Sequence, residues 1–167
     1  MPISAQFIRN TMSKTCVLIL ENIRSVENTG SIFRTAEGLG VSKVILVGTT
    51  PAPIDRFGRK RNDFAKVSLG AEELVEWTYV GDIDLALESL RDEDFDIIAL
   101  EQTNESKKDI KNFKTEDRFA LIVGNEVDGV SKRALKACRA SLEIPMRGKK
   151  ESLNVAVATG IALFVLI

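Results

Sequence analysis

Ile144-Pro145-Met146-Arg147-Gly148-Lys149-Lys150-Glu151-Ser152-Leu153-Asn154-Val155-Ala156-Val157-Ala158 leaves the end of an apolar strand, crosses a basic loop and enters the last helix through a polar Ser-Leu-Asn start. Ser152 and Asn154 read equally as helix caps and as site residues. Leu153 to Ile167 is unusually apolar, and its uncharged run is long enough for about four helical turns. A membrane span needs roughly 20 such residues. The segment therefore reads as a buried helix, with a subunit interface as a further place for its apolar surface.

Upstream, short apolar runs alternate with helical patterns. Cys16 to Leu20, Lys43 to Val47, Leu74 to Val80, Phe95 to Leu100, Ala120 to Val123 and Ser141 to Ile144 read as strands. Several lack polar alternation, as expected of strands buried on both faces of a parallel sheet. Helices are predicted over Thr29 to Gly38, over Ile83 to Arg91 with Asp82 as N-cap, and over Lys132 to Ala137 with Ser131 as N-cap. This order implies an α/β class, a mostly parallel sheet with helices on both faces. A length of 167 residues, near the usual ~150 per domain, predicts a single domain.

Composition removes whole chemistries. The chain has no histidine, which excludes Ser-His-Asp and Cys-His catalysis and every His-containing zinc site, and Cys16 and Cys138 alone cannot build a four-cysteine site. No metal is expected. Residues 1 to 15 read as a short extension without the features of a signal peptide, and with so few cysteines the protein is expected in the cytoplasm, with no membrane association. The formal net charge of −1 argues at face value against nucleic acid. Its distribution does not: Ala71 to Glu105 holds twelve acidic residues against Arg91 alone, whereas Ile54 to Lys66 has five basic against two acidic, and Ser131 to Lys150 seven against one. Basic loops of this kind suit an anionic partner, and equally an ordinary solvated surface.

Two other stretches have the make-up of sites. In Asn28-Thr29-Gly30-Ser31-Ile32-Phe33-Arg34-Thr35-Ala36, Asn28 can cap the helix, Gly30 admits a close neighbour, and Arg34, one turn further, could hold phosphate or ribose oxygens. Gly124-Asn125-Glu126-Val127-Asp128-Gly129-Val130-Ser131 runs from a strand into a loop with two glycines and two carboxylates. Familiar phosphate motifs are absent. Glu37-Gly38-Leu39-Gly40 follows a helix instead of opening one, and Gly148-Lys149-Lys150 lacks the upstream glycine and the Ser/Thr of a P-loop.

In order and spacing, these three stretches resemble the signature motifs of the SpoU (TrmH-like) family of RNA 2′-O-ribose methyltransferases, within the SPOUT superfamily. Lys66-Val67-Ser68-Leu69-Gly70-Ala71-Glu72 is similar to a further family stretch, so the likeness runs from about Cys16 to Phe164. It implies an α/β-knot fold with a C-terminal trefoil knot, S-adenosylmethionine (SAM) as cofactor, tRNA or rRNA as partner, and a homodimer whose active site draws on both subunits. By position, Asn28, Arg34, Glu126, Ser152 and Asn154 match the catalytic set. Leu100, Gln102, Gly124, Ile144, Met146 and Leu153 match positions around the cofactor.

The reaction so implied is an in-line displacement, in which a ribose oxygen attacks the methyl carbon of a sulfonium. Arginine is a poor base, since its ordinary pKa lies above ~12. Arg34 therefore reads either as the activating group or as a stabiliser of alkoxide or phosphate, with Glu126 or the substrate receiving the proton. With the apolar run starting at Cys16, no separate RNA-binding domain is expected. Phosphate contacts then fall to Arg56, Arg59, Lys60 and Arg61, to Arg147, Lys149 and Lys150, and thirdly to Lys132, Arg133, Lys136 and Arg139. The alternative functions are an inactive knotted RNA-binding or ribosome-assembly protein, and a plain nucleotide-binding α/β protein that would prefer ATP or NAD to SAM.

Overall fold

The computed structural model describes residues 14–102 and 107–167. Most of the expected N-terminal extension, residues 1–13, and residues 103–106 at the end of the acidic stretch lie outside the described residues. The order is β1 (Thr15–Glu21), α1 (Val26–Gly38), β2 (Lys43–Val47), α2 (Asn62–Ser68), β3 (Glu76–Val80), α3 (Ile83–Asp92), β4 (Asp96–Leu100), β5 (Lys107–Asp109), β6 (Arg118–Gly124), α4 (Lys132–Ala137), β7 (Ala140–Glu143) and α5 (Val155–Leu166). The strands form one sheet in the order β3-β2-β1-β6-β4-β7-β5, and every pairing is parallel.

Alternate residues of the central strands feed two cores. Cys16, Leu18 and Leu20 of β1 join Phe119, Leu121 and Val123 of β6 on the face covered by α1, α2 and α5. Val17, Ile19, Ala120 and Ile122 face α3 and α4. Both faces are dry, which is why these strands carry no polar alternation. Because all pairings are parallel, every strand's C-terminal end lies on one rim, and β6, inserted between β1 and β4, delivers its loop between theirs.

The structure corrects several sequence expectations. Helix α1 starts three residues early: Ser25, not Asn28, is the N-cap, its Oγ accepting the Asn28 N–H at 3.0 Å. The Leu74 to Val80 run becomes a 3₁₀ turn at Ala71–Glu73 followed by a strand from Glu76, and Leu74 is exposed. Helix α2 and strand β5 carry too few residues to show a period. Helix α5 is buried on one side only, through Val155, Thr159, Ala162, Leu163 and Leu166, while Phe164 is 77% exposed and Val157, Ile161, Val165 and Ile167 also face outward. Its C-terminal end is held by Lys14, whose Nζ donates to the Leu166 carbonyl at 2.7 Å, and by Thr115 at 3.3 Å. Among the described residues no helix is long and apolar enough to cross a membrane.

Burial pushes the Cys16 thiol up to about 12; at Cys138 burial, reinforced by the negative charges of Glu21 and Asp96, has the same effect. Raised thiol values favour the fold fully below the ordinary value of 9.0, and that contribution is lost as pH climbs towards 12. We expect both thiols to resist iodoacetamide at pH 8 until denaturant is added, and unfolding free energy to fall with pH above about 9. Rapid labelling of the native protein would contradict this packing.

Candidate active site

A cleft of about 420 Å³ opens on the C-terminal rim of the sheet. Leu100, Glu101 and Gln102 reach it from β4, Val123 to Val127 from β6, Leu142 to Ile144 and Met146 from β7, and Ser152 to Val155 from the start of α5. The β6 loop forms one wall because it folds back on itself. Asn125 Oδ1 accepts the N–H groups of Val127 at 2.8 Å and Asp128 at 2.7 Å, and its carbonyl accepts Gly129 N–H at 3.0 Å. A Cβ on Gly124 would stand 2.1 Å from the Gly129 carbonyl carbon, so glycine is required where the loop closes on its own stem.

Two carboxylates fix the returning strand of this loop. Glu101 Oε2 accepts Val130 N–H at 2.7 Å and Oε1 accepts Gln102 N–H at 3.0 Å; Glu21, almost wholly buried, accepts Ser131 N–H at 2.9 Å. Gly129, at φ 67°, has no side chain for a reason: its Cβ would meet Glu101 Oε2 at 2.1 Å. Glu101 escapes the sequence reading, and Asn125 and Gly129 enter it only as members of their motif, with no part assigned. The available signal for Glu101 is its place as the first residue beyond a buried strand, where open α/β sheets carry their ligand groups.

At the mouth, three polar side chains from distant parts of the chain meet. Asn154 Nδ2 donates to Asn28 Oδ1 at 3.0 Å, and Asn28 Nδ2 donates to Glu126 Oε1 at 2.5 Å. Asn154 Oδ1 meanwhile accepts the Ala156 N–H at 2.9 Å and so caps α5. Asn154 thus caps α5 and also lines the cleft, whereas Ser152 lines the cleft without capping a helix. Asn28, relieved of capping by Ser25, is available for the network. Its neighbour Glu27 has its carboxyl held below the ordinary value by backbone N–H at the helix start and then by the Ser25 hydroxyl.

Nine of the sequence-predicted site residues thus come together in one cleft: Leu100, Gln102, Gly124, Glu126, Ile144, Met146, Ser152, Leu153 and Asn154. Asn28 lines instead a second groove of about 570 Å³ between α1 and α5, which it shares with Asn154, Ser31, Thr35, Val157 and Ile161. Arg34 lines neither cavity and is exposed on α1. The basic clusters differ in availability. Arg59 pairs with Asp55, Lys60 with Glu73, Arg61 with Asp63, Arg133 with Asp82 and Asp84, and Arg139 with Asp96. Arg56, Arg147, Lys149 and Lys150 have no ion-pair partner among the described residues, and the last three are exposed on the loop that runs past the cleft. No group of three or more metal-ligating side chains occurs among the described residues.

The model of the SpoU rRNA methylase family matches residues 15–164, and the chain belongs to that family. It is 32% identical over 156 residues to the 23S rRNA (guanosine-2′-O-)-methyltransferase RlmB of Neisseria meningitidis, covering 93% of this chain and 59% of that protein. It thus spans well under two thirds of the relative's length. The crystal structure of an AdoMet-bound rRNA methyltransferase from Sinorhizobium meliloti superposes with a TM-score of 0.80 at 26% identity, over 90% of this chain and 55% of that one. The A. aeolicus TrmH/SpoU tRNA modifying enzyme gives a TM-score of 0.77 at 27% identity, over 92% and 76% of the two chains. The seven-stranded parallel sheet with helices on both faces is the fold these proteins share.

Replacing Glu101 by Gln removes a charged acceptor from two backbone N–H groups, an interaction of about 1.5–3 kcal/mol. Thermal denaturation of Glu101→Gln is expected to begin several degrees below wild type; an unchanged melting temperature would mean the loop is held without this carboxylate.

Proposed function

We propose that this chain transfers a methyl group from SAM to a ribose 2′-hydroxyl of tRNA or rRNA. The observation that carries the reading is the Asn154–Asn28–Glu126 chain at the mouth of the cleft, assembled from the three motifs that resemble the family's. The cleft suits the cofactor: Leu100, Leu142, Ile144, Leu153 and Val155 give it apolar walls, while Gln102, Asn125, Glu126, Ser152 and Asn154 supply polar groups. Its volume lies within the roughly 300–1,000 Å³ typical of small-molecule sites. When bound, the cofactor supplies an electrophilic methyl group on a sulfonium.

The chain's own residues have the remaining tasks. Glu126, oriented by the Asn28 amide, stands where it can accept a proton or favour positive charge, and the hydrogen bond from Asn28 fixes which carboxylate oxygen stays available. Arg34, outside its own cleft, fits the dimeric part of the reading. A second copy covering the outward apolar residues of α5 beside α1 would bring the Arg34 of one copy towards the cleft of the other, where a guanidinium grips phosphate or developing alkoxide. The knot belongs to the same reading: β7 lies between β4 and β5, and the chain returns from it to α5 packed on α1. So does a cytoplasmic location, which matches two unpaired thiols and an RNA substrate.

Labelled methyl transfer from SAM to total tRNA and to rRNA, followed by mapping of the modified ribose, tests the activity. Transfer to a 2′-oxygen is expected; binding of SAM with transfer to neither pool would overturn it. Arg34→Ala is expected to lower transfer by about 10²–10³-fold with SAM binding retained. Loss of SAM binding by a folded variant would remove the assignment.

RNA affinity should rest on the unpaired cations. Alanine at Arg147, Lys149 and Lys150 is expected to weaken binding and flatten the salt dependence by roughly two to three counterions. Alanine at Arg59, Lys60 and Arg61, each already neutralised by a carboxylate, should have a smaller effect; the reverse order would return the phosphate contacts to the earlier loop.

A further inference from the structure

The segment after β2 is a small, tightly built finger. Ile54 and Lys60 form an antiparallel bridge, Asp55 and Arg59 are joined by a backbone hydrogen bond of 2.9 Å, and Gly58 turns the tip at φ 76°. Asp55 organises the turn: Oδ1 accepts the N–H groups of Phe57 at 2.8 Å and Arg59 at 3.0 Å, and Oδ2 accepts Arg59 Nε at 2.8 Å. Its carboxyl is held below the ordinary value, first by the Arg59 backbone N–H. Lys60 ties the finger to Glu73 in the neighbouring 3₁₀ turn.

At the tip of this rigid turn sits Phe57, 66% exposed. The guanidinium carbons of Arg56 and Arg59 lie 4.7 Å and 5.1 Å from its ring centroid. Arg59 is pinned by Asp55, whereas Arg56 has no ion-pair partner among the described residues and can swing aside or extend the stack. Holding a large apolar ring in water has no benefit for the fold, and Asp55 fixes the turn without it. A ring flanked by guanidinium planes is the surface on which unpaired bases stack.

The finger stands on the rim that carries the cleft. It follows the C-terminal end of β2, two strands from β6, or about 10 Å across the sheet. Its stem is fastened to the segment leading into α1: Asn22 Oδ1 accepts Thr49 N–H at 3.1 Å, and Thr50 Oγ1 accepts Ile23 N–H at 3.0 Å. The same segment continues to Ser25 and Asn28, so the finger and the polar network share one support.

We propose that Phe57, with Arg56, is a stacking site for an unpaired nucleotide of the RNA substrate, flanking the one presented to the cleft. The proposal rests on the RNA reading above and adds to it a contact for single-stranded bases that a phosphate-binding loop does not provide. It also gives the finger a part its neutralised cations do not: Arg59, Lys60 and Arg61 hold its shape, and the ring makes the contact.

The test compares an RNA hairpin with a single-stranded loop against a fully paired RNA duplex of equal length, with SAM binding as the control for folding. Phe57→Ala is expected to weaken hairpin binding by about 5- to 100-fold and leave the duplex unchanged, with Phe57→Trp restoring the affinity. In the Trp variant, quenching of the new indole by the hairpin and not by the duplex would report the stack directly. Equal losses on hairpin and duplex would overturn the proposal in favour of a general structural role. Unchanged hairpin affinity with a smaller sedimenting mass would overturn it in favour of a protein contact. If Phe57→Ala binds the hairpin normally while the Arg147/Lys149/Lys150 variant does not, the stacking site falls and the RNA reading stands; if the wild-type protein binds neither RNA, both fall.

Discussion

Glu21 and Glu101, at the ends of the strands on either side of β6, grip the consecutive backbone amides of Ser131 and Val130. Much of the site depends on that pair of grips. With the returning backbone fixed, the loop from Asn125 to Gly129 closes against Gly124, Glu126 is carried to the cleft mouth, and Ser131 is set to cap α4 by accepting the Ala134 N–H. Hydrogen bonds to a charged acceptor are among the stronger ones a protein makes, and here they join elements that are far apart in sequence. The sheet supplies the rim, and the two carboxylates turn one strand end on it into the wall of a cleft.

Charge is organised on a different principle from the one net charge suggests. Many basic residues away from the cleft are engaged by carboxylates, as Arg133 is by Asp82 and Asp84 and Arg139 by Asp96. The Arg133 pairs are solvent-exposed and contribute little to stability, whereas Arg139 holds the nearly buried Asp96 through two hydrogen bonds. Their effect is to reduce competing positive surface. Arg147, Lys149 and Lys150 remain beside the cleft, so a chain of net charge −1 can still present positive potential where an anion would be needed.

Much of this was legible in the sequence because strands buried on both faces leave continuous apolar runs; the edge strand β3, half-exposed along its length, was legible only as part of a longer run whose start it does not share. What escaped did so for local physical reasons. Three-residue β5 and seven-residue α2 are too short to establish a period, and α2 ends on Leu69 in a left-handed conformation at φ 52° where glycine would have been the sign. Asn28 looked like a cap because asparagine caps well; Ser25 takes that part, and the distinction lies in tertiary contacts no linear pattern records. Glu101 was invisible as one acid among twelve in its region. The motif residues gathered in the cleft, but the outward position of Arg34 is a property of helix phase relative to a neighbour, not of spacing.

Asn154 has a consequence for what sequences this site can accept. Its oxygen caps α5 while its nitrogen donates to Asn28. Aspartate would cap the helix as well, yet it has no N–H to donate and would set a second negative charge close to Glu126. For the helix alone the two residues are interchangeable; for the site they are not. A position that looks permissive by stability is thus restricted by chemistry, through the half of the amide that the helix never uses.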